Sequence, residues 1–178
     1  VTAVDFEVGR LLAGLKELGV DDNTIILYVS DHGDRLGSHT DRGDAGSARG
    51  KGCPYASAFR IPLIVRWPRG IKPRQVCDAL VSSVDLAPTL LDLAGLEIPS
   101  RYQGDSMAPW CRGGQGPRNE AVYLGFGGLE PRNIRLPGRH CWRAVWDGRY
   151  LFAPPTEPDN YRHLYDHETD PHEMNNLI

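Results

Sequence analysis

A short segment of the sequence concentrates side chains that can bind a cation and an anion. Asp31 and His32 follow an apolar, β-branched run at residues 24–29, and Lys51 stands between two glycines in the loop beyond them. A carboxylate with an imidazole suits a divalent cation such as Ca²⁺, Mn²⁺ or Zn²⁺. Flanking glycines let the backbone approach an anion, and the lysine ammonium supplies a compact charge for one of its oxygens. The segment therefore predicts a site that neutralises an oxyanion.

Each of these features also has a plainer interpretation. An Asp-His-Gly sequence at a strand end can serve only as a turn or a cap, and a single loop lysine is usually solvated. Two ligands do not complete a metal site, so further oxygen or nitrogen donors must come from elsewhere. In an extended strand Asp31 and His32 would point to opposite faces. Both reach one ion only if the chain turns, which Gly33 permits.

Two apolar runs, at residues 24–29 and 61–66, frame this polar segment. Their length and composition are typical of buried parallel strands. Since ligands bind at the carboxyl ends of strands in open α/β sheets, Asp31 and His32 fall at a functional edge.

Helices are predicted on either side of the strands. In residues 1–18 the apolar side chains recur at three- and four-residue spacing, which predicts a core-facing helix that ends at Gly19. A second helix is predicted within residues 81–96, capped by Ser82 or Ser83. The order helix, strand, loop, strand, helix predicts a three-layer α/β domain.

The spacing of apolar residues changes from a helical to a strand pattern in the C-terminal third of the chain. Residues 101–120 are rich in Gly, Pro, Arg and Ser, which predicts a linker or surface loop. A strand at 121–126, a hairpin at 142–153 around Asp147-Gly148 and a strand at 163–165 predict a small antiparallel sheet. Asp170-Pro171 predicts the start of a closing helix. The predicted organisation is therefore residues 1–100 in the α/β domain, 101–120 as linker and 121–178 as a small antiparallel subdomain with a helix.

Composition excludes several classes of partner. The 178 residues carry a formal net charge of −3 with both signs interspersed, which argues against nucleic acid or an anionic membrane as partner. No apolar stretch approaches the roughly 18 residues of a membrane span. Four widely spaced cysteines lack a C-x-x-C pairing, so neither a zinc finger nor a disulfide scaffold is expected.

The sequence starts inside an amphipathic pattern, with neither a start methionine nor a signal peptide. We expect a piece of a longer protein. Because central strands would become sheet edges in such a piece, we expect it to associate with copies of itself or with the missing N-terminal half.

In combination these motifs resemble the second half of the sulfatase domain in the alkaline-phosphatase superfamily. The resemblance extends to arylsulfatases, choline-sulfatase-like enzymes and phosphonate monoester hydrolases, and it implies part of a three-layer α/β/α domain followed by a small antiparallel sheet. It rests on residues 23–39, 50–52, 58–65, 81–95 and 164–177.

The resemblance implies roles for individual residues. Asp31 and His32 would be metal ligands, and Lys51 would be catalytic by binding the sulfate ester and its bridging oxygen. His32 stands where many sulfatases carry Asn and where choline-sulfatase-like and phosphonate-hydrolase-like members carry His. Ca²⁺ is the expected metal with Mn²⁺ as the alternative, and sulfate and phosphate esters both stay open. His39 is placed to approach the substrate, although a solvated loop histidine is an equal alternative.

One element of the family's pattern is absent. Sulfatases attack sulfur with a formylglycine made from Cys or Ser in a C/S-x-P/A-x-R motif, and these 178 residues contain no such motif. We therefore expect a C-terminal portion of a metal-dependent sulfatase, inactive alone, with the formylglycine in a missing N-terminal part. The alternatives are a phosphonate monoester or phosphodiester hydrolase on the same scaffold, and a non-catalytic module that binds a cation or a partner.

Overall fold

The computed structural model describes residues 1–39, 50, 52–126, 142–155 and 162–178. Contacts group the chain into two units. The first unit comprises Val1–Tyr28 and Leu63–Arg118, and the second comprises Val29–Pro62 and Asn119–Ile178. The predicted boundaries at residues 100 and 120 stay a prediction.

The first unit begins with helix α1 (Thr2–Glu17), as its apolar spacing predicts. Gly19 at φ 69° ends it, and the Gly19 amide donates to Lys16 O at 3.0 Å. The prediction that α1 faces a core is wrong for the described residues. None of its side chains is buried and Phe6 is 65% exposed, because the main contacts of α1 are with the 3₁₀ turn at Asp21–Asn23.

Strands β1 (Ile26–Val29) and β2 (Leu63–Arg66) form a two-stranded sheet. The two predicted strands are confirmed, and Pro62 stands just before β2. Their predicted burial is wrong within the described residues, since Tyr28 is 41% and Ile64 59% exposed. A parallel strand is buried only where both faces of its sheet are covered.

Helix α3 (Leu86–Leu93) follows a 3₁₀ turn at Ser83–Asp85. Ser82 caps the 3₁₀ turn in a capping box, in which the Ser82 amide donates to Asp85 Oδ2 at 2.8 Å, and Asp85 is the N-cap of α3. Asp85 Oδ1 also accepts the Asp105 amide, and the Thr89 hydroxyl oxygen accepts the Met107 amide. The predicted linker therefore lies against α3, and it carries a further short helix, α4 (Ala108–Cys111).

The second unit contains a four-stranded antiparallel sheet whose strands lie side by side in chain order, which confirms the predicted C-terminal sheet. The hairpin turns one residue later than predicted: the Asp147 amide donates to Tyr150 O, and Gly148 at φ 96° is the first of the two central residues. A single helical turn, α2 (Ala56–Phe59), packs with this sheet in one core. The strands are β3 (Val122–Phe126), β4 (Trp142–Trp146), β5 (Tyr150–Ala153) and β6 (His163–Asp166).

The predicted closing helix is wrong, because residues 167–178 form turns. Asp166 O accepts the Asp170 amide, and Asp170 Oδ2 accepts the Asn175 amide. Pro171 has no amide proton and restricts the residue before it. The Leu177 amide then donates to Leu164 O at 2.9 Å, so the chain returns to β6.

In the part of the chain that the structure describes, no helix is both long enough and apolar enough to cross a bilayer.

Candidate functional site

The two predicted metal ligands lie side by side in a turn after β1. The Ser30 hydroxyl donates to His32 O at 2.7 Å, and the His32 amide donates to Asp31 Oδ1 at 3.0 Å. These bonds fold the chain so that His32 Nε2 lies 3.4 Å from Asp31 Oδ2. The Asp31 side chain is 84% exposed and that of His32 is 37% exposed. The turn that a shared ion requires is therefore present.

The imidazole of His32 is oriented by the backbone. Its Nδ1 lies 2.7 Å from Gly33 O, and because a carbonyl oxygen only accepts, Nδ1 carries the proton. In the neutral ring Nε2 then presents its lone pair on the side of Asp31. Metal-binding histidines commonly have such a second bond, which fixes the tautomer. When two donor atoms bind one divalent ion, each at about 2.1–2.4 Å from the ion, the two donors lie roughly 3 Å from each other. The observed separation of Asp31 Oδ2 and His32 Nε2 is close to this, so the pair fits a divalent cation.

Gly33 ties the turn to helix α2. Its amide donates to Ala58 O at 2.9 Å, and a Cβ at this position would lie 2.0 Å from Ser57 O. Any side chain here would push the turn away from α2. Glycine is thus required for close approach of two backbones, whereas the sequence predicted only its freedom to turn.

His39 is buried rather than solvated. It is 8% exposed, and its ring stacks on that of Tyr55 with centroids 3.9 Å apart and planes 5° from parallel. The alternative of a solvated loop histidine is therefore wrong. Tyr55 also contacts His163 and Tyr165 of β6, at centroid distances of 5.0 Å and 6.1 Å. Contact between His39 and a substrate stays a prediction.

Lys51 lies outside the described residues, as does Cys141. Gly50 and Gly52, the two neighbours of Lys51, do lie within the described residues. Gly50 O accepts the Arg35 amide at 3.2 Å, and a Cβ at Gly52 would lie 3.7 Å from the Phe126 ring. Gly50, the residue before Lys51, therefore lies beside Arg35, which follows Asp31 by four residues.

Further donors for a cation are not apparent in the described ranges. Among those residues no group of three or more His, Cys, Asp or Glu side chains could hold a metal ion.

Sequence reasoning missed a second carboxylate–imidazole pair. Glu173 and His167 have side chains that are 3% and 7% exposed, with Glu173 Oε1 3.1 Å from His167 Nε2. Both carboxylate oxygens of Glu173 lie 3.0 Å from the Ala56 amide nitrogen. Burial raises the pKa of Glu173 to about 7 and lowers the pKa of His167 below its ordinary value. The sequence did point to this region, because residues 164–177 carry part of the family resemblance, but Asp170-Pro171 within it predicts a helix start and not a buried pair.

Two family models match the chain. The sulfatase model covers residues 1–96, and the model for the C-terminal region of N-sulphoglucosamine sulphohydrolase covers residues 50–178. An N-acetylglucosamine-6-O-sulfatase of Bacteroides thetaiotaomicron is 36% identical over 100% of this chain. A multifunctional alkaline phosphatase superfamily protein of Trinickia caryophylli is 30% identical over 99% of it. The chain spans 30% and 34% of the lengths of these two relatives.

Solved structures agree with these matches. A complex described with its substrate D-glucosamine-2-N,6-O-disulfate superimposes with a TM-score of 0.84 at 34% identity, covering 99% of this chain and 34% of that one. A phosphonate monoester hydrolase of Silicibacter pomeroyi superimposes with a TM-score of 0.77 at 32% identity, covering 93% and 33%. The fold is thus the predicted α/β sulfatase-type architecture with its antiparallel sheet. On these matches, this chain belongs to the sulfatase family.

Proposed function

We propose that this chain contributes part of the active site of a metal-dependent sulfatase that hydrolyses sulfate esters of sugars. The family match supports sulfuric ester hydrolysis as the class of reaction. The observation that carries the assignment of residues is the arrangement of Asp31 and His32, whose Oδ2 and Nε2 atoms lie 3.4 Å apart on an exposed turn. They would hold the divalent cation, with Ca²⁺ favoured and Mn²⁺ as the alternative. Sugar sulfates are proposed because two of the similar proteins are named for them.

The residues of this chain would act mainly by holding charge in place. When bound, the cation supplies positive charge beside the nucleophile and the transferred group. Asp31 provides a carboxylate that is open to the ion, and His32 provides a ring whose tautomer is fixed by Gly33 O. The Lys51 ammonium would bind a sulfate oxygen and stabilise the negative charge that develops on the leaving oxygen. Charged groups that are held in place in this way need no reorganisation as the ester bond breaks.

The nucleophile would come from outside these residues. Sulfatases use a formylglycine, and its C/S-x-P/A-x-R motif is absent from the 178 residues. The chain would therefore supply about half of a site, and we expect it to be inactive alone. Association with the remainder of the enzyme, or with copies of itself, would cover the exposed apolar side chains of α1 and β2. If the isolated chain stays monomeric at high concentration, association with copies of itself is contradicted.

Lys51→Ala in the whole enzyme tests the assignment of the lysine. Losing one preorganised charge contact lowers the rate by about 10²–10³. Turnover of an aryl sulfate should fall by that factor, and Lys72→Ala, at an exposed position, should leave it unchanged. Near-wild-type turnover by the Lys51 variant would rule out the assigned role.

Hydrolysis of phosphonate monoesters or phosphodiesters is the second candidate. It is favoured by His32, by the phosphonate monoester hydrolase structure and by the relative from the alkaline phosphatase superfamily. Paired aryl sulfate, phosphonate and phosphodiester substrates with the same leaving group separate the candidates. Greater kcat/KM for the sulfate supports the leading proposal, and greater kcat/KM for either phosphorus ester overturns it.

A non-catalytic module is the third candidate, since these residues lack a nucleophile motif. Calorimetric titration of the isolated chain with Ca²⁺ and Mn²⁺ tests it. The half-site proposal expects weak binding at most, whereas tight binding would show that the ligand set is complete in this chain.

A further inference from the structure

Glu173 lies far along the chain from Asp31 but is bonded to the segment on which the Asp31 turn rests. We infer that Glu173 is a positioning residue, which acts through helix α2 to hold the Asp31–Gly33 turn in place for cation binding. The consequence for catalysis rests on the proposed function, whereas the positioning itself does not.

The first link runs from Glu173 to the start of α2. Both carboxylate oxygens lie 3.0 Å from the Ala56 amide nitrogen, and the side chain is 3% exposed. The His167 ring contacts Glu173 Oε1 at 3.1 Å and packs edge-on against Trp146, with centroids 4.5 Å apart. The carboxylate is thus fixed from two sides, and it fixes the first residue of α2.

The second link runs from α2 to the candidate ligands. Ala58 O accepts the Gly33 amide at 2.9 Å, and Ser57 O occupies the space that a side chain on Gly33 would need. A displacement of α2 therefore moves or releases Gly33. Because Gly33 O in turn orients His32 Nδ1, the displacement also reaches the imidazole.

The third observation is that Glu173 makes this contact from an unfavourable backbone conformation and a buried position. Glu173 adopts φ 55°, in the left-handed region that side chains other than glycine rarely occupy. It also removes a carboxylate from water, which is unfavourable unless the group is well bonded. Strained and buried groups of this kind persist where the surrounding structure fixes them and are frequent near functional sites.

Amide hydrogen exchange in the whole enzyme, followed by mass spectrometry on peptides covering residues 30–36 and 53–60, tests the inference. Glu173→Ala removes the acceptor, whereas Glu173→Gln retains one oxygen for the Ala56 amide. We expect exchange in both peptides to be at least tenfold faster in Glu173→Ala and within about threefold of wild type in Glu173→Gln. Asp85→Ala is the matched control, because Asp85 is a buried carboxylate that accepts two backbone amides and lies in the other unit.

A second readout is the affinity for Ca²⁺, which should weaken about tenfold in Glu173→Ala and not in Asp85→Ala. Unchanged exchange in the 30–36 peptide of folded Glu173→Ala would overturn the inference, as would equal acceleration there in Asp85→Ala. If Glu173→Ala does not fold, Glu173→Asp replaces it, since it keeps the charge but shortens the reach, and the same exchange results decide. A wild-type enzyme that binds no Ca²⁺ and cleaves no sulfate ester would refute the proposed function, while the exchange rates would still decide the positioning.

Discussion

Two carboxylate–imidazole pairs in the same unit of this molecule have opposite surroundings. In Asp31–His32 the facing atoms are 3.4 Å apart and the carboxylate is 84% exposed. In Glu173–His167 they are 3.1 Å apart and both side chains are nearly fully buried. The similar spacing shows that proximity of a carboxylate to an imidazole does not by itself define a metal site.

The two pairs differ in how far the carboxylate can still form further bonds. Glu173 directs both oxygens to the Ala56 amide and one also to His167, in a place that water hardly reaches. Asp31 accepts the amide of the next residue and keeps most of its surface open. A ligand must retain accessible lone pairs, whereas a structural group is stabilising when its lone pairs are satisfied. The exposed pair therefore suits a cation, and the buried pair suits the fixing of a turn.

The largest expected effect separates activity from stability at the exposed pair. Asp31→Asn keeps the shape of the side chain but removes the charge that would hold the cation. In the whole enzyme we expect turnover of an aryl sulfate to fall by about 10²–10³. The unfolding temperature without added metal should stay within about 2 °C of wild type, because the side chain is exposed. A large loss of metal-free stability would instead make Asp31 structural.

The next effect is on stability at the buried pair. Glu173→Ala leaves the Ala56 amide and the His167 ring without their buried acceptor. Leaving a buried polar group unsatisfied costs about 1–3 kcal/mol, so the free energy of unfolding should fall by that amount. Denaturant titration of the whole enzyme measures it. A change below about 0.5 kcal/mol would show that the contact contributes little.

The buried pair also predicts how stability depends on pH. In the folded protein the pKa of Glu173 is raised to about 7 and that of His167 is lowered, whereas their ordinary pKa values are 4.5 and 6.5. The stabilising effect of Glu173 is complete below pH 4.5 and is lost as the pH rises through 7. That of His167 is complete above pH 6.5 and is lost as the pH falls. Just below pH 6.5 the two slopes oppose each other, whereas between pH 6.5 and about 7 only Glu173 acts, so stability should decline there.

Glu173→Gln sharpens this pH prediction because only His167 then titrates in the pair. Arg60, Asp166 and Asp170 also act on the two groups. The pKa values of Asp166 and Asp170 are lowered, so both carboxylates stay charged across this pH range. We expect wild-type stability to decline between pH 6.5 and 7.5, and that of Glu173→Gln to stay level there. Thermal unfolding from pH 4 to 8 measures both, and an equal decline in the variant would exclude Glu173 as its source.

The smallest expected effect is at His32. Asn supplies an oxygen donor for the same ion, so His32→Asn should reduce turnover by less than tenfold, whereas His32→Ala should reduce it by 10-fold or more. Steady-state kinetics on the aryl sulfate compares the two variants. Equal losses would show that the nature of the donor at this position is unimportant.

Local pattern predicted much of the fold and the turn that brings Asp31 beside His32. Helix α1, the two framing strands and the hairpin follow from patterns among neighbouring residues. The structure contains all of these elements, with the hairpin turn one residue later than predicted. The hydrogen bonds within the Asp31–His32 turn also join only residues 30–33, although the turn itself rests against α2 through the Gly33 amide.

What the sequence could not predict depends on distant contacts. Glu173 meets Ala56 across 117 positions, and nothing near Glu173 indicates that partner. The closing helix was wrong because Pro171 cannot donate a helical hydrogen bond and the Leu177 amide bonds back to Leu164, thirteen residues earlier. The exposure of α1 and β2 was also missed, since burial depends on what covers a face and not on the face's own composition.

Calcium titration of the whole enzyme tests the central claim most directly, by comparing wild type with Asp31→Asn and Glu173→Gln under the same conditions. The account holds that the exposed pair binds the cation and that the buried pair only positions the exposed pair. Asp31→Asn should then bind Ca²⁺ at least a hundredfold more weakly than wild type, whereas the affinity of Glu173→Gln should stay within about threefold of wild type. Wild-type affinity in Asp31→Asn would contradict the claim.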